Sequence, residues 1–168
     1  MMRDGPVLHL LCGKIAAGKS TLAARLGGAP ATVVIAEDIW LKTLFGDQMT
    51  TGADFLDRSA RLRMAMTPHL MDLLTAGVSV VLDFAANTVA QRQWMREVID
   101  QTGVAHQLHV LEVPDEVCLA RLRARNAQGE HAFAATEAQF HRFTKHFVAP
   151  TPEEGFVIVR YDEEAREV

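Results

Sequence analysis

Residues 13–20 read Gly-Lys-Ile-Ala-Ala-Gly-Lys-Ser, which satisfies the spacing G-x-x-x-x-G-K-[ST]. Glycines in such a stretch let the backbone curl, so that successive N–H groups point inward at phosphate oxygens. A helix opening near Lys19 adds its positive N-terminal end. Lys19 then reaches the β- and γ-phosphates of a nucleoside triphosphate, and the Ser20 hydroxyl is a ligand for Mg²⁺, with Thr21 the weaker candidate. The stretch Gly13, Lys14, Ile15, Ala16, Ala17, Gly18, Lys19, Ser20 and Thr21 is thus expected to cradle the phosphates. An ordinary glycine-containing strand–helix turn is the alternative. The context argues against it, because the apolar run Val7–Cys12 precedes the motif and a helical pattern follows it.

Phosphoryl chemistry also needs carboxylates. Val80-Val81-Leu82-Asp83 is an apolar strand ending in an acid. Ligands of open α/β sheets collect at the carboxyl ends of strands, where Asp83 can hold Mg²⁺ or its water. A solvated strand-end acid is the plainer reading. Asp38 stands just past a second strand, in Ile35-Ala36-Glu37-Asp38, where it can accept the proton of a substrate hydroxyl. It can equally be the N-cap of a helix that starts at Ile39.

Arg121 and Arg125, four apart on one helix, share a face and can stabilise transition-state charge on phosphates. A solvated helix end rich in cations is the alternative. Arg92 is a looser candidate of the same kind. Arg58 and Arg61 lie on a long helix where a substrate can dock, and Trp40 can wall its pocket. A core stripe with solvated charges explains these residues as well. The seven histidines form no H-x-x-x-H or H-E-x-x-H pattern, so they offer no metal site.

These residues need a frame. Strands are expected at Val7–Cys12, Thr32–Ala36, Val78–Leu82, His106–Val113 and Phe156–Val159. Helices are expected at Lys19–Leu26, Ile39–Phe45, Ala53–Ala76 with a bend near Pro68, Val89–Gln101, Asp115–Asn126 and Thr136–His146. Glu163–Val168 reads as a polar tail that frays. Strands alternating with helices imply an α/β fold with a parallel sheet. The 168 residues suit one domain spanning 1–168. A net charge of −4 argues against bulk electrostatic binding of nucleic acid. Two cysteines far apart, Cys12 and Cys118, form neither a disulfide scaffold nor a metal pattern, and no stretch approaches the ~18 apolar residues of a membrane span. The expectation is a reduced, cytoplasmic protein.

With these motifs the chain resembles the small P-loop kinases of the nucleoside-monophosphate-kinase-like group. It is most similar to the AAA-type ATPase-like branch that includes zeta toxins, chloramphenicol phosphotransferase and the kinase domain of polynucleotide kinase. Gly13 to Thr21, Asp38, Asp83 with Asn87-Thr88, Arg92, and Arg121 with Arg125 carry the likeness, over roughly residues 7–160. The resemblance implies a P-loop NTPase three-layer sandwich with a five-stranded parallel sheet in the order 2-3-1-4-5. It implies ATP–Mg²⁺ as donor, a small-molecule hydroxyl as acceptor, and the Asp38 position as base. It implies a short lid at about 121–135 and a substrate-side segment at about 39–76. Ala149-Pro150-Thr151-Pro152 falls where such kinases often cradle adenine. No N-K-x-D sequence for guanine is present. The alternatives are an ATP-binding or ATP-hydrolysing regulatory module and a 5′-hydroxyl nucleic-acid kinase. The second is disfavoured because the sequence has no evident basic patch.

Overall fold

Apolar β-branched runs and amphipathic helices alternate along the chain, and each run forms a strand of one sheet. In the computed structural model, which describes residues 5–129 and 135–168, β1 is Val7–Cys12, β2 Thr32–Ala36, β3 Ser79–Ala85, β4 Ala105–Leu111 and β5 Ile158–Tyr161. The helices are α1 Lys19–Leu26, α2 Glu37–Phe45, α3 Gly52–Thr75, α4 Val89–Thr102, α5 Asp115–Gln128 and α6 Glu137–Lys145. The sheet order is β2-β3-β1-β4-β5 and every pairing is parallel, as expected.

The two-residue period of the strands sends alternate side chains to opposite faces. Leu8, Leu10, Val80 and Leu82 pack with Leu62, Met66 and Leu70 of α3 and with Met95 and Val98 of α4. Leu11, Val81 and Leu111 pack with Leu22 of α1, Leu122 of α5 and Phe140 of α6. The product is a helix–sheet–helix sandwich with the sheet buried on both sides. Gly27 closes α1 against the edge strand, where an added Cβ would stand 2.3 Å from Val34 Cγ2. Only glycine lets the helix end approach so closely.

Several boundaries move. The second helix begins at Glu37, with Ala36 as its cap residue. Asp38 therefore lies in the first turn and is not the N-cap. α3 continues through Pro68, which sits on its exposed side. β5 starts two residues late, because a 3₁₀ turn at Pro152–Glu154 closes at Gly155 before the strand can begin. The expected fraying tail is also corrected. Tyr161 bridges to Glu167, Val168 N–H donates to Arg160 O, and Arg25 Nη2 holds Ala165 O at 2.9 Å. A polar composition misled here because the tail's backbone groups find partners on β5 and α1. Residues 130–134 of the expected lid lie outside the described residues.

A polar chain crosses the sheet on its α1/α5 side. His9 Nδ1 lies 2.9 Å from His109 Nε2, and His109 Nδ1 lies 2.7 Å from the Tyr161 hydroxyl. Neutral rings satisfy both contacts when Tyr161 donates to Nδ1 and Nε2–H donates to His9. Burial, with smaller contributions from His9 and the Arg25 cation, pushes His109 down from 6.5 to about 4. Unfolded, the ring takes its proton below about pH 6.5. Folded, it does so only near pH 4. The stability from this residue is complete above pH 6.5 and is lost as the pH falls towards 4, an effect on the order of 3 kcal/mol. Urea unfolding at pH 7 and pH 4 should show a clearly smaller acid loss in His109→Gln than in wild type. Equal losses would mean that His109 does not carry the effect.

Candidate active site

The loop between β1 and α1 folds around its own backbone. Ala17 N–H donates to Lys14 O at 3.1 Å, and Ala16 and Gly18 take positive φ angles of 63° and 104°. This change of backbone hand turns consecutive N–H groups to one side, which makes an anion nest at the start of α1. Gly18 is suited to that conformation, whereas Ala16 pays some backbone strain to reach it.

The loop is held from outside by three side chains. Asn87, just past β3, makes two bonds to one residue: Gly13 N–H donates to its Oδ1 at 2.9 Å, and its Nδ2 donates to Gly13 O at 2.8 Å. Lys14 Nζ pairs with Asp115 at the start of α5 at 2.5 Å. Arg121 Nη1 donates to Ala17 O at 3.3 Å and Nη2 donates to Glu163 O of the C-terminal turn. Lys19 Nζ donates inward to Gly13 O at 2.5 Å and Lys14 O at 2.9 Å. Burial lowers its pKa, while Asp83 and, more weakly, Asp38 raise it.

Two carboxylates come to the same end of the sheet, Asp83 on β3 and Asp38 in the first turn of α2, just past β2. Ala36 of β2 stands opposite Asp83 of β3, which brings Asp38, two residues on, to the same end of the sheet. The β1–β3 register jumps at this level. Leu10 faces Leu82, and the next residue, Leu11, faces Ala85. The irregularity sets Asp83 and Phe84 out of step with β1, while alternation within β3 holds: Leu82 and Phe84 turn to the α3/α4 layer and Asp83 to the α1 side. Ser20 Oγ donates to Asp83 Oδ2 at 3.0 Å. Hydroxyl and carboxylate oxygens are the hard donors that Mg²⁺ takes, and Mg²⁺ needs only one or two protein ligands beside phosphates and water. The donor set therefore fits the ion. Among the described residues there is no cluster of three or more His, Cys, Asp or Glu that could hold a metal.

The arginines divide. Arg125, half-buried on α5, lies within the electrostatic reach of Asp38: burial lowers its pKa and the Asp38 charge raises it. Its Nε is buried without a hydrogen-bond partner among the described residues. Arg92 departs from its expected role. It is 0% exposed, pairs with Glu154 at 2.8 Å and donates to Ala86 O at 3.0 Å. These contacts tie α4 to the segment before β5 and to the end of β3, and full burial takes the side chain away from a substrate-facing surface. Arg61 is a surface residue paired with Asp57. Arg58 also pairs with Asp57 and stacks on Phe45, 5.4 Å from the ring centroid. Trp40 is 38% exposed on α2. Residues 149–152 follow Val148, whose N–H donates to Asn87 O, and precede the Glu154 that binds Arg92.

The sequence reading passed over Glu37. Its Oε1 accepts from Ser59 Oγ at 3.3 Å. Burial and the adjacent Asp38 push its carboxyl up to about 7, against the opposing pull of Arg63 and Ser59. Adjacency to Asp38 was the only signal available in the sequence.

Over residues 8–150 the chain matches the AAA domain family, and it belongs to that family. No curated protein matches it in sequence. Among solved structures it is similar to a candidate kinase from Chloroflexus aurantiacus, at 18% identity and a TM-score of 0.75, with 95% of this chain and 89% of that one covered. It is similar to the APS kinase of Mycobacterium tuberculosis solved with AMPPNP and APS, at 18% identity and a TM-score of 0.61, covering 95% and 90%. It is also similar to a sugar kinase from Janibacter, at 15% identity and a TM-score of 0.62, covering 97% and 88%. The architecture is that of the P-loop kinases.

The Asn87 clamp gives a direct test. Asn87→Ala leaves the buried Gly13 N–H and C=O without these partners, which should lower the unfolding free energy by about 1–3 kcal/mol. Amide exchange over residues 13–18 should accelerate more than exchange in β4. Uniform acceleration across the sheet would assign Asn87 a general packing role only.

Proposed function

We propose that this member of the AAA domain family is an ATP-dependent phosphotransferase. It moves the γ-phosphate of ATP to a hydroxyl of a small molecule, of the sugar, antibiotic or nucleoside kind. The observation that carries this reading is the convergence of Asp38, in the first turn of α2, and Asp83 of β3 on the cleft that holds Lys19 and Ser20. A module that only binds nucleotide has no need of a second carboxylate beside the acid that would hold Mg²⁺. The buried, unpaired Cys12 and Cys118 suit the reducing cytoplasm.

In the proposed reaction the loop N–H groups and the α1 N-terminus bind the β- and γ-phosphates. Lys19 exchanges its two carbonyl partners for phosphate oxygens. A charged acceptor makes the stronger hydrogen bond, so the exchange favours the bound nucleotide. Ser20 and Asp83 would hold Mg²⁺, which when bound supplies positive charge against the phosphate oxygens. The acceptor oxygen forms its bond to the γ-phosphorus as the bond to the β,γ-bridging oxygen breaks. ADP leaves with that electron pair, and the hydroxyl proton passes to Asp38. Arg125 of α5 stabilises the charge that spreads over the transferring group, and Arg121 keeps α5 against the loop.

The decisive experiment incubates the protein with γ-labelled ATP, Mg²⁺ and a panel of hydroxyl compounds and follows the label. Transfer should occur to at least one small hydroxyl compound. Asp38→Asn should abolish it with ATP affinity changed by less than about threefold, since this kind of chemistry rests on positioning and charge. Label moving only to water would favour the hydrolytic module, and transfer only to nucleic-acid 5′ ends would favour a polynucleotide acceptor.

Lys19→Ala should weaken ATP binding, turnover or both. If both stayed at the wild-type level, the loop would not be the nucleotide site. Arg125→Ala should lower kcat about tenfold or more, equal to roughly 1.4 kcal/mol of transition-state stabilisation. Its melting temperature should hold. An intact rate with a lowered melting temperature would assign Arg125 to folding.

A further inference from the structure

α2 opens with two consecutive acids that face different ways. Successive helical residues are about 100° apart round the axis, so one turn can serve two neighbours. Asp38 shares the cleft with Lys19 and Arg125, whose charges it affects. Glu37 meets α3. Ser59 is 3% exposed; its hydroxyl donates to Glu37 Oε1 at 3.3 Å and accepts from Arg63 Nη1 at 3.0 Å. The network continues into α4. The Arg63 guanidinium lies 6.0 Å from the centroid of the Trp94 ring, Trp94 Nε1 donates to Thr67 Oγ1 at 2.8 Å, and Thr67 Oγ1 donates to Arg63 O at 2.7 Å. α2 has no side-chain cap of its own, because Ala36 stands at the cap position. Its first turn carries Asp38 and has a side-chain tether to α3 through Glu37.

We propose that Glu37 is a positioning residue for phosphoryl transfer: anchored through Ser59 and Arg63 to α3, it holds the first turn of α2 so that Asp38 faces the cleft. The proposal rests on the reading of Asp38 as the proton acceptor. Positioning at this level has large leverage, because a displacement of about 1 Å can cost on the order of 100-fold in rate. The acids and cations that face Glu37 are Asp38 on its own helix, Arg63 on α3 and Asp83 on β3. Burial beside Asp38 favours its neutral form, which keeps the hydrogen bond to Ser59 and adds no charge next to the proton acceptor. Glutamine reproduces that form in shape and charge. Alanine removes the tether.

The test uses the full chain with ATP–Mg²⁺, water as the acceptor, and phosphate release as the readout. Three variants, Glu37→Ala, Glu37→Gln and Ser59→Ala, are compared with wild type for release rate, for affinity towards a fluorescent ATP analogue, and for amide exchange along α2 and β1. Glu37→Ala should lower phosphate release about tenfold or more with nucleotide affinity within about twofold. Glu37→Gln should restore release to within about threefold of wild type, and Ser59→Ala should lower it in the same direction as Glu37→Ala. Exchange in Glu37→Ala should rise over residues 41–45 by about tenfold, with β1 unchanged.

A wild-type release rate in Glu37→Ala overturns the proposal. So does a loss in Glu37→Gln equal to that in Glu37→Ala, or an exchange increase spread evenly over α2 and β1. Should wild type release no phosphate to water, the exchange pattern decides alone. Asp38→Asn, measured beside these variants, separates the two claims. If it releases phosphate as wild type does, the proton-acceptor reading falls, while the tether stands or falls on exchange along α2.

Discussion

The structure depends on keeping one short stretch of backbone curled so that it can offer N–H groups to an anion. The bond from Ala17 N–H to Lys14 O closes part of the curl from within, and the rest of its shape must come from elsewhere. Here it comes from the rim. Asn87 grips both polar groups of Gly13, Lys14 reaches Asp115, and the carbonyls of Ala17, Gly13 and Lys14 receive Arg121 and Lys19. These contacts leave the loop's carbonyls and ends occupied and its interior turned toward the ligand. Each contact also sets a neighbour. β3 and α4 are fixed to the loop by Asn87, and α5 by Asp115 and Arg121.

Strand order supplies the rest of the geometry. Placing β3 between β1 and β2 puts Asp83 beside the loop and Asp38 one strand farther out. The register jump between β1 and β3 acts at the level of Asp83, whose side chain meets Ser20. Alternation along β3 sends Val80, Leu82 and Phe84 to the α3/α4 layer and Val81 to the α1/α5 layer. Asp83 follows Val81 on that second side, near the end of the strand, where it meets Ser20 of α1.

The motif at 13–20 was legible because phosphate binding needs contiguous residues, and so was the sheet, because both of its faces demand apolar strands. Asp38 and Asp83 were legible as acids at strand ends. Long-range partners were less so. Asn87 came to notice through a family likeness, yet its grip on Gly13 spans 74 positions. Glu37 acquires a partner only when α3 returns over α2, 22 positions away. Arg92 looked like Arg121 in sequence, each being an arginine on a helix that follows a central strand. Their surroundings differ. Arg92 is enclosed by Glu154 and Ala86, whereas Arg121 reaches the loop and the C-terminal turn. The tail was misread because backbone pairing to Arg160 and Tyr161 is indifferent to the polarity of side chains.

The partners of the site's cations bear on how it can work. Lys19 and Arg121 both rest on carbonyl oxygens. A carbonyl satisfies a cation's donors without neutralising its charge, and an ionised phosphate makes the shorter and stronger bond. Burial makes this difference larger, which is the sense of the lowered Lys19 pKa. Had Lys19 been locked in a buried ion pair with a carboxylate, a nucleotide would first have to break it, at the cost of leaving that acid alone. Lys14 is the exception, since Asp115 holds it at the rim. The same loop thus separates two jobs: Lys14 and Arg121 at its edge fix position, and Lys19, resting on neutral oxygens inside it, remains available for charge.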